Sequence, residues 1–403
     1  MIITVDRNKL LTALQRLYNG IMSYAKASYH GRGYDACRCY IFRVSLYKMQ
    51  IEVSDKEIFM SESVSIGNPD VGEIEFAVFA PQFIKAIKSL DSQELELSVL
   101  EYQIIVRHST GSFALPLDDC VAIFDADVKE PMLGGKKPVF DLTKAETLTM
   151  EAPGLNSILT KCLYACADDS LRPVLNGVCM AMNDKYTDFV ASDGHKLVRL
   201  RKHSITTNKP VRMVWPRKVV TTLLKILPKT GFVDLWLRIE LVEATNEYQV
   251  LFARLLVEDG PEIFFKPIDG RYPNYESVIP TAHYIEFTAD RKNLIKSVER
   301  ISQFTNDSSG LIVFHLKDNS LTMTGEDKDF ETKADETLPV KYGGNFLKMG
   351  FKDITVIKTL RNVVSSEITV KGKDSSQAFT FEPTVQPDNE EILMLLMPML
   401  IND

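Results

Sequence analysis

Residues Phe189–Leu200 read FVASDGHKLVRL, and how this stretch folds decides the fold class. An apolar run, Phe189-Val190-Ala191, stops at Ser192-Asp193-Gly194, and apolar residues resume at Leu197 and Val198. Asp and Gly tolerate the positive φ of a short hairpin, so the pattern predicts two strands joined by a tight turn. His195 and Lys196 fall just past the bend, where a side chain can face a groove.

The same pattern recurs on either side, as IEVSDKEIFM (Ile51–Met60) and more loosely as LTMTGEDKDF (Leu321–Phe330). Ahead of each copy a strand runs into an amphipathic helix, at Ile2–Leu17, Leu148–Ala167 and Ile285–Phe304. After each copy a second strand does the same, in helices that end at Leu90, Leu227 and Val364. Phe83, Val219 and Val356 mark one position of that second helix, at offsets of 136 and 137 residues. Between the helices lie alternating strands such as Glu94–Val99, Leu235–Val242, Tyr248–Leu256 and Leu311–Leu316. The expected fold class is α+β: three repeats, each with two helices packed on a mostly antiparallel sheet. The Pro-, Gly- and Lys-rich stretch Lys129–Pro138 and the segment Pro273–Thr281 set the boundaries, giving domains 1–138, 139–280 and 281–403.

The 403 residues carry a formal net charge of −7, with 45% hydrophobic and 25% charged residues, as in a folded soluble protein. No apolar run approaches ~18 residues and the first residues lack a signal-peptide pattern, so a cytoplasmic location is expected. Six cysteines are thinly spread; neither Cys37/Cys39 nor Cys162/Cys166 has a flanking His or CxxC partner, so packed thiols and no metal are expected. The charge is unevenly placed. The six predicted helices hold 16 Lys and Arg against four acids (Asp6, Asp290, Glu299, Asp353), and the rest of the chain is acidic. Lys and Arg decorate many solvated helices. Their concentration here also suits a basic helical surface facing a polyanion, through phosphates rather than bases.

Four motifs then occur in order: RPVLNGV (Arg172–Val178), ASDGHKL (Ala191–Leu197), DGRYPNYESVIP (Asp269–Pro280) and MPML (Met397–Leu400). With the threefold repeat, they closely resemble the bacterial replicative sliding clamps, the beta subunits of DNA polymerase III. The resemblance implies a head-to-tail homodimeric ring of DNA-clamp domains whose helices surround double-stranded DNA without sequence preference. It implies a processivity factor without a catalytic site, cofactor or membrane association. Its partners would be the polymerase III alpha subunit, the clamp loader and repair proteins.

The same resemblance implies a peptide pocket between the second and third domains. Its residues carry over to Leu175, Ser192, Gly194, His195, Lys196, Leu197, Pro273, Ser277, Val278, Leu395, Leu396, Met397, Pro398 and Met399. DNA contacts carry over to Lys26, Arg172, Arg217 and Lys218, and the helix charge pattern adds Lys85, Lys88, Lys225, Arg291, Lys296, Lys358 and Arg361. Phe113 and Leu115 match the apolar edge strand at the dimer seam, with Ile301 and Phe304 as partners. Ser277 stands where many clamps carry Arg, Lys196 replaces a commoner Arg, and Asn402-Asp403 extend the usual terminus. Two other readings are open: an enzyme using Ser192, Asp193 and His195, and a clamp-fold peptide-binding adaptor that does not encircle DNA. Adjacent residues in a turn do not make a triad, and no nucleophile elbow or P-loop accompanies them.

Overall fold

The computed structural model describes residues 2–21, 38–55, 57–67, 72–118, 120–121, 145–169, 171–242 and 247–401. Lys26, Cys37, the stretch Lys129–Pro138 and Asn402-Asp403 lie outside the described residues. One order of eight strands and two helices occurs three times along the chain. The first copy is β1 (Ile2–Asp6), α1 (Arg7–Gly20), β2 (Cys39–Ser45), β3 (Lys48–Ser54), β4 (Ile58–Ser65), β5 (Ile74–Phe79), α2 (Ala80–Lys88), β6 (Glu94–Val99), β7 (Gln103–His108) and β8 (Gly111–Asp118). The second is β9 (Ala145–Glu151), α3 (Ala152–Leu163), β10 (Gly177–Met182), β11 (Thr187–Ser192), β12 (Lys196–Lys202), β13 (Val211–Pro216), α4 (Arg217–Ile226), β14 (Phe232–Val242), β15 (Glu247–Val257) and β16 (Glu262–Phe265). The third is β17 (Ile285–Asp290), α5 (Arg291–Ile301), β18 (Leu311–Lys317), β19 (Ser320–Asp327), β20 (Thr332–Pro339), β21 (Leu347–Lys352), α6 (Asp353–Asn362), β22 (Glu367–Gly372), β23 (Phe379–Pro383) and β24 (Glu390–Leu396). The sequence marker of the second helix holds: Phe83, Val219 and Val356 are all buried.

By packing, the chain forms two compact units, residues 1–156 with 218–267 and residues 157–217 with 268–403. In the first unit β1 pairs with β6, β6 with β7 and β7 with β8, while β2 pairs with β3 and β5 and β3 with β4, all antiparallel. β9, β14, β15 and β16 continue there, and β16 lies against β4 with Phe265 opposite Ile58 and Phe264 opposite Phe59. In the second unit the third copy repeats these pairings. There β24 lies against β12 over seven residues, from Lys196↔Leu396 to Lys202↔Glu390. Both joins are alike: the fourth strand of one copy pairs with the eighth strand of the next.

The helix starts show why these residues fold this way. Asp6 and Asp290 cap α1 and α5 by accepting the amides of Lys9 and Asn293 at 2.9 and 2.8 Å. The Arg that follows each cap turns back onto the end of the neighbouring helix. Arg7 donates to the carbonyls of Ile87 and Lys88, and Arg291 to those of Leu360 and Ser365. Last-turn carbonyls lack intrahelical partners, so a guanidinium fork satisfies them and ties two helices together. Gly20 ends α1 against Met60 and Thr222: a Cβ there would meet Met60 Sδ at 2.6 Å, and the Thr222 hydroxyl donates to its carbonyl at 2.7 Å.

Arg291→Ala leaves the Ser365 carbonyl without the guanidinium and the Leu360 carbonyl with the Val363 amide alone. We expect unfolding in urea to show a loss of about 1–2 kcal/mol, recovered only in part by Arg291→Lys because an ammonium cannot fork. Unchanged stability in Arg291→Ala would refute the tie.

Candidate peptide groove and DNA-facing helices

The FVASDGHKLVRL stretch forms the expected hairpin, β11–turn–β12, with Gly194 at φ +94°. Asp193 is its hub. Its Oδ1 accepts the amides of His195 and Lys196, both at 2.9 Å, and its Oδ2 takes the Lys196 ammonium. Burial pushes the carboxyl up, but the Lys196 ammonium and the two amides outweigh it and hold it below the usual carboxylate value. The Ser192 hydroxyl donates to the Lys196 carbonyl at 2.8 Å and accepts the Gly194 amide. Hydroxyl and carboxylate are therefore spent on turn geometry rather than on the His195 imidazole.

Leu175, Leu197 and Leu395 meet in one buried cluster with Val190, Val214, Tyr272 and Tyr275. Leu175 sits on a 3₁₀ turn, Pro173–Leu175, directly before β10. Leu197 and Leu395 are cross-strand partners. Met397 follows the end of β24 and donates its amide to the His195 carbonyl at 2.8 Å, which brings the tail beside the turn. Met399 then donates to the Gly350 carbonyl, with Pro398 between them half-buried. Pro273, Ser277, Val278 and Met397 are exposed, and Val278 and Met397 keep 54% and 41% of their surface. Leu396 departs from the expectation: strand alternation turns it away from Leu395, and it is buried opposite Phe379. Ser277 donates to the Asn274 carbonyl at 2.7 Å.

Sequence reasoning missed what fixes the exposed segment. Tyr275 donates its phenol to the fully buried Asp188 at 2.8 Å, and Arg201 grips the same carboxylate at 2.8 and 2.9 Å. Arg201 also lies over the Tyr186 ring, 3.6 Å from its centroid. Arg201 stands in a basic strand with Arg199 and Lys202, so nothing local set it apart. A second fastening joins β12 to β24. Glu390 takes the ammonium groups of Lys202 and Lys161, and Glu391 pairs with Arg199 and His203. A basic strand thus lies on an acidic one.

Descriptions of the DNA polymerase III beta subunit match this chain twice: its central domain at residues 149–274 and its C-terminal domain at residues 276–399, together more than half of the sequence. The chain belongs to the DNA polymerase III beta subunit family. It is 22% identical over 402 residues to the beta sliding clamp of Vibrio cholerae, covering 98% of this chain and 99% of that one. The beta sliding clamp of Chlamydia pneumoniae is 23% identical over 326 residues, 80% of each. The crystal structure of the DNA polymerase III subunit beta from Pseudomonas aeruginosa aligns with a TM-score of 0.83 at 19% identity, over 99% of this chain and all of that one. That from Borrelia burgdorferi, in complex with a natural product, gives 0.84 at 15% identity over the whole of both chains. As a member of this family the chain is a DNA sliding clamp.

The basic residues expected to face DNA divide into two sets. Lys85, Lys88, Lys225, Lys296 and Lys358 are exposed on their helices. The others carry local bonds, and Lys225 also has a partner of its own. Arg291 is the helix tie described above. Arg172 pairs with Asp169 and donates to the Asp193 carbonyl, which places it over the groove turn. Arg217 donates to the Ala167 carbonyl, and exposed Arg361 pairs with Glu299. Burial pulls the Lys218 ammonium down, but Asp55 and Glu57, at 2.6 and 3.0 Å, outweigh it and raise its pKa. A guanidinium reads as a phosphate ligand in sequence, yet a nearby carbonyl or carboxylate claims it first.

The seam residues divide as well. Phe113 is half-buried and Phe304 is 40% exposed, whereas Leu115 and Ile301 are core residues with 4% and 0% exposed. Ile301 packs so tightly on β19 that a Cβ on Gly325 would meet it at 2.6 Å. Among the described residues no helix is long and apolar enough to cross a membrane.

Asp193→Ala removes the acceptor of two amides and an ammonium, at an expected cost of about 1–2 kcal/mol in urea unfolding. Because the folded carboxyl titrates below its unfolded value, the wild-type advantage is full above pH about 4 and shrinks as pH falls through the lowered folded pKa. An advantage that grew on acidification would contradict the assignment.

Proposed function

We propose that two copies of this chain close head to tail around duplex DNA, and that the Leu175–Leu197–Leu395 cluster receives short apolar segments of replication and repair proteins. The carrying observation is the repeated join. β4 takes β16 and β12 takes β24, fourth strand to eighth strand in both cases. Among the described residues, β20 pairs only with β19, and β8 pairs with β7 and, at its last two residues, with β5. Of the fourth and eighth strands of the three copies, these two alone lack such a join among the described residues, and an open edge is a template for pairing. One more join of the same kind, β20 to the β8 of a second copy, closes the series, with Phe113 and Phe304 at its rim. The domains are 1–138, 139–280 and 281–403, and the protein acts as an accessory subunit rather than as an enzyme.

Exposed Lys85, Lys88, Lys225, Lys296 and Lys358 attract the duplex diffusely, which favours sliding over sequence recognition. The groove combines a rigid floor (Leu175, Leu197, Leu395) with adaptable Met397 and Met399. Burying two or three apolar side chains there at ~1.5–3 kcal/mol each, less ordering costs, gives an affinity near the micromolar range. Weak binding suits a protein that exchanges its partners, among them the polymerase III alpha subunit and the clamp loader.

Loaded onto a closed circle, the wild-type protein should stay bound in a gel-filtration assay and come off when the circle is cut. Phe113→Asp should not be retained on either substrate. Equal retention on circular and cut DNA would contradict encirclement.

Deleting residues 397–403 should abolish binding of apolar clamp-motif peptides in fluorescence anisotropy while the dimer persists in sedimentation. Unchanged peptide affinity would remove the groove assignment and leave the ring untouched.

A further inference from the structure

Cys39 opens β2, Asp118 closes β8, and Cys120 follows two residues later. Sheet register brings the three together. Ala77 of β5 pairs with Ile41 on one side and with Asp118 on the other, and Cys39 shares the face of Ile41 two residues away. The small Ala77 side chain leaves room there. The two Sγ atoms and a carboxylate oxygen of Asp118 all lie within 4.8 Å of one another. Both thiols are buried against Ile41, Phe59 and Phe264. Asp118 accepts the Cys120 amide at 3.0 Å, which holds its carboxylate beside them. Among the described residues it forms no ion pair with Lys or Arg.

We propose that Cys39, Asp118 and Cys120 bind one borderline-soft divalent cation, zinc by class. At zinc–sulfur distances of about 2.3 Å, tetrahedral ligands stand roughly 3.8 Å apart. The three donors therefore need to contract by no more than about 1 Å. Asp118 is the partly exposed member, so the fourth position opens on its side and takes water. The ion ties the chain leaving β8 to the first residue of β2. In the second unit the comparable task falls to Tyr272 and Tyr275, which pin residues 268–280 by burial and by the Asp188 bond.

The test is the metal content of the full-length protein purified without chelator, with cobalt as a second probe. Wild type should carry about one zinc per chain, and Cys39→Ser with Cys120→Ser should reduce that at least tenfold. Asp118→Asn, which keeps both thiols, should weaken zinc binding by about tenfold or more. Cobalt added to metal-free wild type should give a thiolate-to-cobalt charge-transfer band, a readout on the unaltered protein, and the double variant should lack it. Zinc below a tenth of an equivalent with no cobalt band would overturn the proposal. So would equal metal content in the double variant, or a metal-free protein with a Cys39–Cys120 disulfide seen as a loss of two hydrogens by mass.

Discussion

Every sheet edge in this protein poses the same problem: a row of backbone donors and acceptors that must be paired or left to water. The chain answers it twice in the same way, by laying the eighth strand of one copy on the fourth strand of the copy before it. The second of these pairings also brings together the residues of the candidate groove. The 192–196 turn leads into β12, and the Met397–Met399 tail leaves β24, so the seven-residue ladder between these strands puts the turn and the tail side by side. Two salt bridges toward one end of the ladder, Lys202 with Glu390 and Arg199 with Glu391, fix its register, and a one-residue slip would move Leu197 and Leu395 to the wrong face.

The two joins differ in the side chains at their aligned cross-strand positions. At the first, Phe59 and Phe264 occupy the cross-strand positions that Leu197 and Leu395 hold at the second. The two rings meet edge to face, 5.9 Å apart, and fill the space with Ile41 and Cys39. At the second join the smaller leucines, with Val190 and Val214, form a floor, and exposed Val278 and Met397 stand nearby. Two rings thus face each other where the second join has two leucines.

Local periodicity carried the architecture into the sequence. The six helices of the three copies and the hairpin at residues 189–200 were legible because 3.6- and 2-residue periods and Asp-Gly turns are short-range signals. Which strand closes which edge was not, since a β12–β24 pairing spans nearly 200 residues and leaves no local trace. Charge misled for a related reason. Arg291 and Lys296 look alike in sequence, but one ends on the Leu360 and Ser365 carbonyls at the end of α6 and just beyond it, and the other in solvent. In the site, the leucines and the turn were readable from motif and spacing. Asp188, Arg201 and Tyr275 were not, because their bonds join a hairpin to a distant loop. Cys120 escaped notice for the same reason: its neighbours Cys39 and Asp118 meet it only through β5.

The account depends on β20 and β8 finding each other in a second copy, since no other arrangement repeats the joins already made. Electron microscopy of the purified protein tests this most directly. Closed rings with an open centre and six similar lobes, three from each copy, are the predicted result. Particles that remain single three-lobed arcs at every protein concentration, with no closed ring among them, would contradict it.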